Sequence, residues 1–291
     1  MQKQKKAGRI VAMGLIGDPV AHSKSPEMMN AAFEQLGLPY VYQAFRVAPA
    51  ELEEAVNRLK AQDLIGFNVT IPHKVAIMDL LDDLDQTAAE IGAVNTVVRR
   101  EGKWIGTNTD GPGYLRSLIE EWNPAFSELS AVILGAGGAA RAVGYTLATA
   151  GVPKITVANR TLDKAEALAA HLSQWTKTEA VLLADSRAEV EKAQLVVNTT
   201  SVGMHPHTEE SPVPCDWLRQ GQIVSDLVYH PKETLLLRQA KEKGARIHTG
   251  LGMLVHQAAL ALEMWLQKKA PVSLMKEVLE ASLTGTKVKK E

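Results

Sequence analysis

The chain has one cysteine, Cys215, among 291 residues. A single thiol excludes an intramolecular disulfide framework and any multi-thiolate metal site. An excess of charge is missing too: 32 Lys and Arg face 33 Asp and Glu, for a formal net charge of −1. That balance offers no electrostatic attraction to nucleic acid or an anionic membrane. The lysines that do cluster, Lys3, Lys5 and Lys6 at one end and Lys287, Lys289 and Lys290 at the other, read as frayed solubilising tails. Long apolar runs are also lacking. Gly, Arg or Asp interrupts the most apolar stretches before they reach the length of a membrane span, and no signal peptide is visible. These absences predict a soluble cytoplasmic protein with no nucleic-acid or membrane partner.

What is present is a large hydrophobic fraction, 46%, in a chain long enough for two compact units. Its most informative segment runs from Ala131 to Arg141: an apolar strand, a glycine-rich turn, then a helical pattern. The turn has the form G-x-G-x-x-A, with Gly135 for the tight turn, Gly137 for close approach of a pyrophosphate and Ala140 for close helix–sheet packing. A tight strand-to-helix turn that binds nothing would look similar. The context favours a dinucleotide: a strand precedes, the helix Ala139 to Ala150 follows, Gly151 ends it, and Lys154 to Ala158 supplies a second strand. An NAD site usually carries Asp or Glu after that second strand, whereas here Asn159-Arg160-Thr161 follows, with Lys164 one turn on. Guanidinium, hydroxyl and ammonium groups suit a 2′-phosphate, so the cofactor inferred is NADP. Thr161 also reads as the N-cap of a helix from Leu162 to Leu172 and can serve both purposes.

More than a hundred residues precede this fingerprint and read as an α/β unit of their own. Strands are predicted at Met13 to Gly17, Tyr40 to Val47 and Gly66 to Thr70, with helices at Ser25 to Leu36 and Ala50 to Lys60. Pro72 is predicted to open a helix through Leu81, followed by a short helix from Gln86 to Ile91. Ala93 to Val98 and Trp104 to Thr107 read as a hairpin around Glu101-Gly102, and Gly111-Pro112-Gly113 as a hinge into a helix at Tyr114 to Glu121. Downstream, strands at Lys154 to Ala158, Leu195 to Asn198, Ile223 to Asp226 and Arg246 to His248 alternate with helices, as a doubly wound parallel sheet requires. Asn198-Thr199-Thr200-Ser201 and Asp226 fall at carboxyl ends of strands, where such sheets bind ligands. Two helices, Met253 to Gln267 and Val272 to Leu283, are expected to pack on the upstream unit. The fold class is therefore α/β, with a substrate-binding domain at 8–112, a Rossmann NADP domain at 113–249, C-terminal helices at 250–285 returning to the substrate domain, and flexible tails at 1–7 and 286–291.

If the nucleotide carries hydride, the upstream domain must orient a small substrate and handle a proton. In Ser23-Lys24-Ser25-Pro26, Ser25 reads first as an N-cap with Pro26 at N1. Asn68 and Thr70 lie two apart on a strand and so point the same way. Lys74 falls in the first turn of the helix predicted after Pro72, where the dipole disfavours a cation by about 0.3–1 kcal/mol and would lower its pKa. His73 reads as a bystander. Asn95-Thr96 and Thr107-Asn108-Thr109-Asp110 form a third cluster, in which Asp110 either builds an Asp-Gly turn or pairs with Lys74 and holds it protonated.

Together these motifs resemble shikimate dehydrogenases across almost the whole chain. The matching segments, in the family's order, are Ser23 to Pro26, Asn68 to Lys74, Ala93 to Thr96, Asn108 to Gly111, Gly135 to Ala139, Asn159 to Thr161, Asn198 to Met204 and Gly252 to Gln257. The resemblance implies reversible NADPH-dependent reduction of 3-dehydroshikimate to shikimate in aromatic amino-acid biosynthesis. It implies Lys74 and Asp110 as the catalytic pair, and Ser23, Ser25, Asn68, Thr70, Asn95, Tyr229 and Gln257 as further substrate-binding residues. The cofactor would meet Gly135, Ala136, Gly137, Gly138, Ala139, Asn159, Arg160, Thr161, Lys164, Thr199, Leu227 and Gly250, and no metal is implied. Both serines of the first motif are retained, as in shikimate-specific members. The alternatives are a quinate/shikimate dehydrogenase using NAD or NADP and a non-catalytic sensor of pathway metabolites. The partner expected is a small-molecule substrate, and the chain a monomer or homodimer.

Overall fold

The computed structural model describes residues 10–62 and 64–285, so the tails proposed at 1–7 and 286–291 lie outside the described residues. The chain divides into two compact units, one of residues up to Thr109 together with those from Val255, the other Asp110–Leu254. The division thus falls at 109 and 254 rather than at 112 and 249.

In the first unit the order is β1 (Ile10–Gly17), α1 (Ser25–Gln35), β2 (Tyr40–Arg46), α2 (Leu52–Lys60), β3 (Gly66–Val69), β4 (Asp83–Leu84), α3 (Gln86–Ile91), β5 (Thr96–Arg100) and β6 (Lys103–Thr107). Amphipathic spacing makes α2: Leu52, Ala55, Val56 and Leu59 form its buried stripe. Local chemistry bounds α3, whose first turn is capped by Asp85 accepting from the Ala88 amide and whose last ends at left-handed Gly92. The β5–β6 hairpin closes through Glu101 and Gly102, both with positive φ, as a two-residue turn of this hand requires. The sheet order is β2-β1-β3-β5-β6-β4, and β5 alone runs against the others. The start of β5 therefore sits where β3 and β6 end: Asn68 pairs with Thr96, and Thr96 with Thr107. One sheet edge thus collects Asn68, Asn95, Thr96, Asn108 and Thr109.

Pro72 does not open an α-helix. Residues 71–75 form turns and a 3-10 helix begins only at Ala76. The physical reason is a competing long-range bond: the Lys74 carbonyl accepts from the Val94 amide at 2.7 Å, while the Met78 amide turns to Val75. His73, 1% exposed, is held by a 2.7 Å contact between Nε2 and the Val47 carbonyl, a structural role.

The second unit comprises α4 (Asp110–Glu121), β7 (Ser130–Leu134), α5 (Gly138–Thr149), β8 (Lys154–Asn159), α6 (Leu162–Leu172), β9 (Lys177–Leu182), α7 (Arg187–Lys192), β10 (Leu195–Asn198), β11 (Ile223–Asp226), α8 (Leu235–Glu242) and β12 (Arg246–His248). All six strands are parallel in the order β12-β11-β10-β7-β8-β9, the doubly wound dinucleotide-binding topology. The sequence does not announce the edge strand β9, because Lys177 to Leu182 lacks an apolar run and no residue of it is fully buried. Gly111-Pro112-Gly113 is no hinge either: it lies within the first turn of α4, where Pro112 removes an amide that the helix does not use. A side chain at Gly111 would overlap Thr146 of α5, so that glycine allows α4 and α5 to pack closely.

The last two helices are α9 (Gly250–Leu266) and α10 (Val272–Thr284). From Val255 onward they belong to the first unit, where α10 lies beside α1. Trp265 of α9 donates Nε1–H to the Val97 carbonyl at 3.0 Å and presses onto β3 at Gly66, where a side chain would overlap the indole.

Candidate active site

The carboxyl edge of the first unit's sheet carries a buried hydrogen-bond network. Asn68, 6% exposed, donates both amide hydrogens, to the Asn95 carbonyl at 3.2 Å and to Thr96 Oγ1 at 2.9 Å. Its Oδ1 accepts from the Tyr42 hydroxyl at 2.7 Å. Asn95, 2% exposed, accepts at Oδ1 from the Thr109 amide (2.7 Å) and from Thr96 Oγ1 (3.0 Å), and donates Nδ2–H to Thr109 Oγ1 (2.9 Å) and Gln257 Oε1 (3.5 Å). Buried polar groups matched in this way are held in one orientation. Three predicted substrate residues, Asn68, Asn95 and Gln257, are thereby brought together. Tyr42 and Thr109 complete the network. Nothing in the sequence marks Tyr42 for this network, since the alternation in β2 signals only a strand.

Thr70 follows directly on β3, with its methyl group against Gly17 at the end of β1. Ser25 is not the N-cap of α1. It is the first helical residue, the cap position is Lys24, whose side chain makes no capping bond, and Ser23 Oγ accepts the Ser25 amide at 3.3 Å. The Ser25 and Thr70 hydroxyls make no hydrogen bond among the described residues. Both remain able to bind a ligand.

Lys74 stands on the turn after β3, without the α-helix whose dipole was expected to act on it. Its backbone is fixed by Val94, the neighbour of Ala93 and Asn95. Ala93 accepts from Asn108 Nδ2 at 2.8 Å and Asn95 holds Thr109, so residues 93–95 anchor both Lys74 and the residue preceding Asp110. Asp110 itself, 4% exposed, opens α4, where a carboxylate favours the positive helix end.

In the second unit Gly135 ends β7 with φ 113°, a conformation that demands glycine, and a side chain there would strike Thr199 Oγ1. Gly137 is the N-cap of α5 and faces open space, so no capping side chain uses the amides of Gly138 and Ala139. Ala136 is half-buried beside them, and Ala140 is fully buried. A bare helix start with room over its glycine fits a pyrophosphate. Arg160, Thr161 and Lys164 are exposed just beyond β8, and neither Arg160 nor Lys164 forms an ion pair among the described residues. Uncompensated positive charge at this place fits a 2′-phosphate. Thr161 occupies the N-cap position of α6, but its hydroxyl makes no capping bond, while Asn159 Nδ2 donates to the Thr161 carbonyl. Thr199 donates Oγ1–H to the Leu134 carbonyl at 2.7 Å and keeps its lone pairs for accepting. Leu227 packs under Gly250, where a side chain would overlap its carbonyl, and Tyr229 is half-buried on the loop after β11.

Asn198 and Asp226 do not present themselves to a ligand. Both are fully buried and clasp the loops after β10 and β11: Asp226 accepts from Asn198 Nδ2, the Val228 amide and Thr234 Oγ1, and Asn198 Oδ1 accepts from the amide and hydroxyl of Thr200. Burial pushes the Asp226 carboxyl up to about 7 against these three donated bonds. His248, between Ser117 and Ser225 hydroxyls, is driven down to about 4 by burial and stays neutral.

Residues 15–97 match the model of the shikimate dehydrogenase substrate binding domain, 117–214 that of shikimate/quinate 5-dehydrogenase, and 250–280 that of the shikimate 5′-dehydrogenase C-terminal domain. The shikimate dehydrogenase (NADP(+)) of Methanopyrus kandleri is 50% identical over 272 residues, 92% of this chain and 94% of that protein. The protein of the same name from Bacillus cereus strain AH187 is 46% identical over 272 residues, 94% and 98% of the two chains. A crystal structure of shikimate 5-dehydrogenase from Thermus thermophilus, in complex with NADP(H) and shikimate, superposes with a TM-score of 0.84 at 38% identity, covering 94% of this chain and all of that one. With three domain matches in order and relatives aligned over nearly their full lengths, the chain belongs to the shikimate dehydrogenase family.

Proposed function

We propose that this protein catalyses the reversible, NADP-dependent interconversion of 3-dehydroshikimate and shikimate. The observation that carries this reading is the near-full-length identity to curated NADP-dependent shikimate dehydrogenases, 50% for that of M. kandleri. When bound, NADPH supplies the hydride that reduces the ketone. The amides from Gly135 to Ala139 hold the pyrophosphate, with Thr199, Leu227 and Gly250 along the same strand edge. Asn159, Arg160, Thr161 and Lys164 hold the adenosine ribose and its 2′-phosphate, which selects NADP over NAD.

Ser23, Ser25, Asn68, Thr70, Asn95 and Gln257 bind the substrate's hydroxyls and carboxylate, with Tyr229 near the same ligand. Lys74 Nζ donates a proton or hydrogen bond to the ketone oxygen as negative charge develops there, and takes it back in the reverse direction. Asp110 is the second member of the catalytic pair and binds a substrate hydroxyl. The substrate is a small molecule, and we place the enzyme in the cytoplasm as a monomer or homodimer. Among the described residues no helix is long and apolar enough to cross a membrane.

The test is absorbance at the NADPH band with shikimate or quinate and NADP or NAD. The highest kcat/KM is expected for shikimate with NADP. Turnover in none of the four combinations would instead favour a metabolite sensor.

A further inference from the structure

We infer that Tyr42, a residue of β2 that lies outside the proposed set of ligand contacts, is a positioning residue that fixes Asn68 as a pure hydrogen-bond acceptor toward the substrate. The inference rests on the proposed function, in which Asn68 meets a substrate hydroxyl.

The donor and acceptor ends of each side chain follow from groups that have only one role. The Asn95 carbonyl can only accept, so the Asn68 atom 3.2 Å away is its amide nitrogen. The Thr109 amide can only donate, so the Asn95 atom 2.7 Å away is its oxygen. Asn68 then has both amide hydrogens engaged, by the Asn95 carbonyl and by Thr96 Oγ1. Thr96 passes the polarity on, since its hydroxyl donates to Asn95 Oδ1 at 3.0 Å. What remains at Asn68 is an oxygen with two lone pairs. One is filled by the Tyr42 hydroxyl at 2.7 Å, which leaves a single acceptor position for a ligand. That position selects a hydroxyl able to donate and rejects a carbonyl or ether at the same place.

Tyr42 is itself held so that its hydroxyl cannot drift. Asn30 of α1 brackets its backbone, accepting from the Tyr42 amide at 2.9 Å and donating to its carbonyl at 3.0 Å. Its ring, 1% exposed, lies 6.3 Å from Trp265. Burial raises the phenol's pKa, so it stays a donor at all working pH values.

The experiment is steady-state kinetics of Tyr42→Phe, Asn68→Ala and the double variant, with shikimate and NADP. Loss of one buried hydrogen bond predicts a KM for shikimate raised about fivefold in Tyr42→Phe, with kcat and the KM for NADP within about twofold. In the Asn68→Ala background the same substitution is expected to change KM less than about twofold, because the group it positions is gone. A merely packing role would lower thermal stability and leave KM alone, or would act equally in both backgrounds; either result overturns the inference. If Tyr42→Phe does not fold, Thr96→Val breaks the chain one link further on and must raise the KM for shikimate at least about threefold, and an unchanged KM refutes the polarity. Absence of wild-type turnover would overturn the proposed function itself, a separate outcome from an active wild type with an unaffected variant.

Discussion

Replacing Asp226 by Asn isolates the charge of a fully buried carboxyl without emptying its site. The amide oxygen can keep accepting from Asn198 Nδ2 and the Val228 amide, while the new NH2 group faces Thr234 Oγ1, which reverses from donor to acceptor. The carboxyl's pKa rises from an ordinary 3.8 to about 7 on folding. Between those values the folded protein holds a proton that the unfolded chain has released. Stability therefore falls as pH rises through that window, and above about 7 the whole cost of the buried charge is present. At about 1.4 kcal/mol per pKa unit the window spans about 4 kcal/mol. Urea denaturation of both proteins from pH 4 to pH 8, followed by circular dichroism, measures it as a difference. The difference removes His248, which is common to both. That neutral imidazole works in the opposite sense, costing stability as pH falls from its unfolded value of 6.5 toward about 4. Asp226→Asn is expected to gain on the wild type steadily with pH, by up to about 4 kcal/mol. A difference that does not vary with pH would refute the reasoning.

Further outcomes follow from the same geometry. Arg160→Ala should weaken NADP binding about 10- to 100-fold, the worth of a charge-assisted bond to phosphate, and leave NAD nearly unchanged; equal losses in the two KM values would remove its 2′-phosphate role. Gly111→Ala should destabilise by about 1–3 kcal/mol despite alanine's better helix propensity, because the new methyl group meets Thr146 Oγ1, and Thr146→Ala in the same chain should recover part of the loss in thermal melts. A stabilised Gly111→Ala would mean that the two helices are not closely packed there.

Where local chemistry decides an element, the sequence shows it. The helices Gln86–Ile91 and Leu162–Leu172 and the strands Leu195–Asn198, Ile223–Asp226 and Arg246–His248 have the ends read from caps, turns and apolar runs. Where a distant group decides, local reading fails. The Val94 amide captures the Lys74 carbonyl and no helix starts at Pro72; Thr146 across a helix interface gives Gly111 its use. The site divides in the same way. The candidates Gly135, Arg160, Lys74 and Asp110 stand in motifs that the sequence displays. The Tyr42–Asn68 bond joins residues 26 positions apart on strands separated by β1, and nothing local announces it. Asn198 and Asp226, read as ligand-facing from their place at strand ends, are engaged by loops whose course the sequence does not display.

In the proposed mechanism Lys74 acts on the reacting oxygen while the surrounding polar edge binds the substrate. Steady-state kinetics of Lys74→Ala with shikimate and NADP test it most directly. The expected result is a kcat lower by several orders of magnitude with the KM for shikimate within a few-fold, as for an interaction made mainly in the transition state. An unchanged kcat would contradict it.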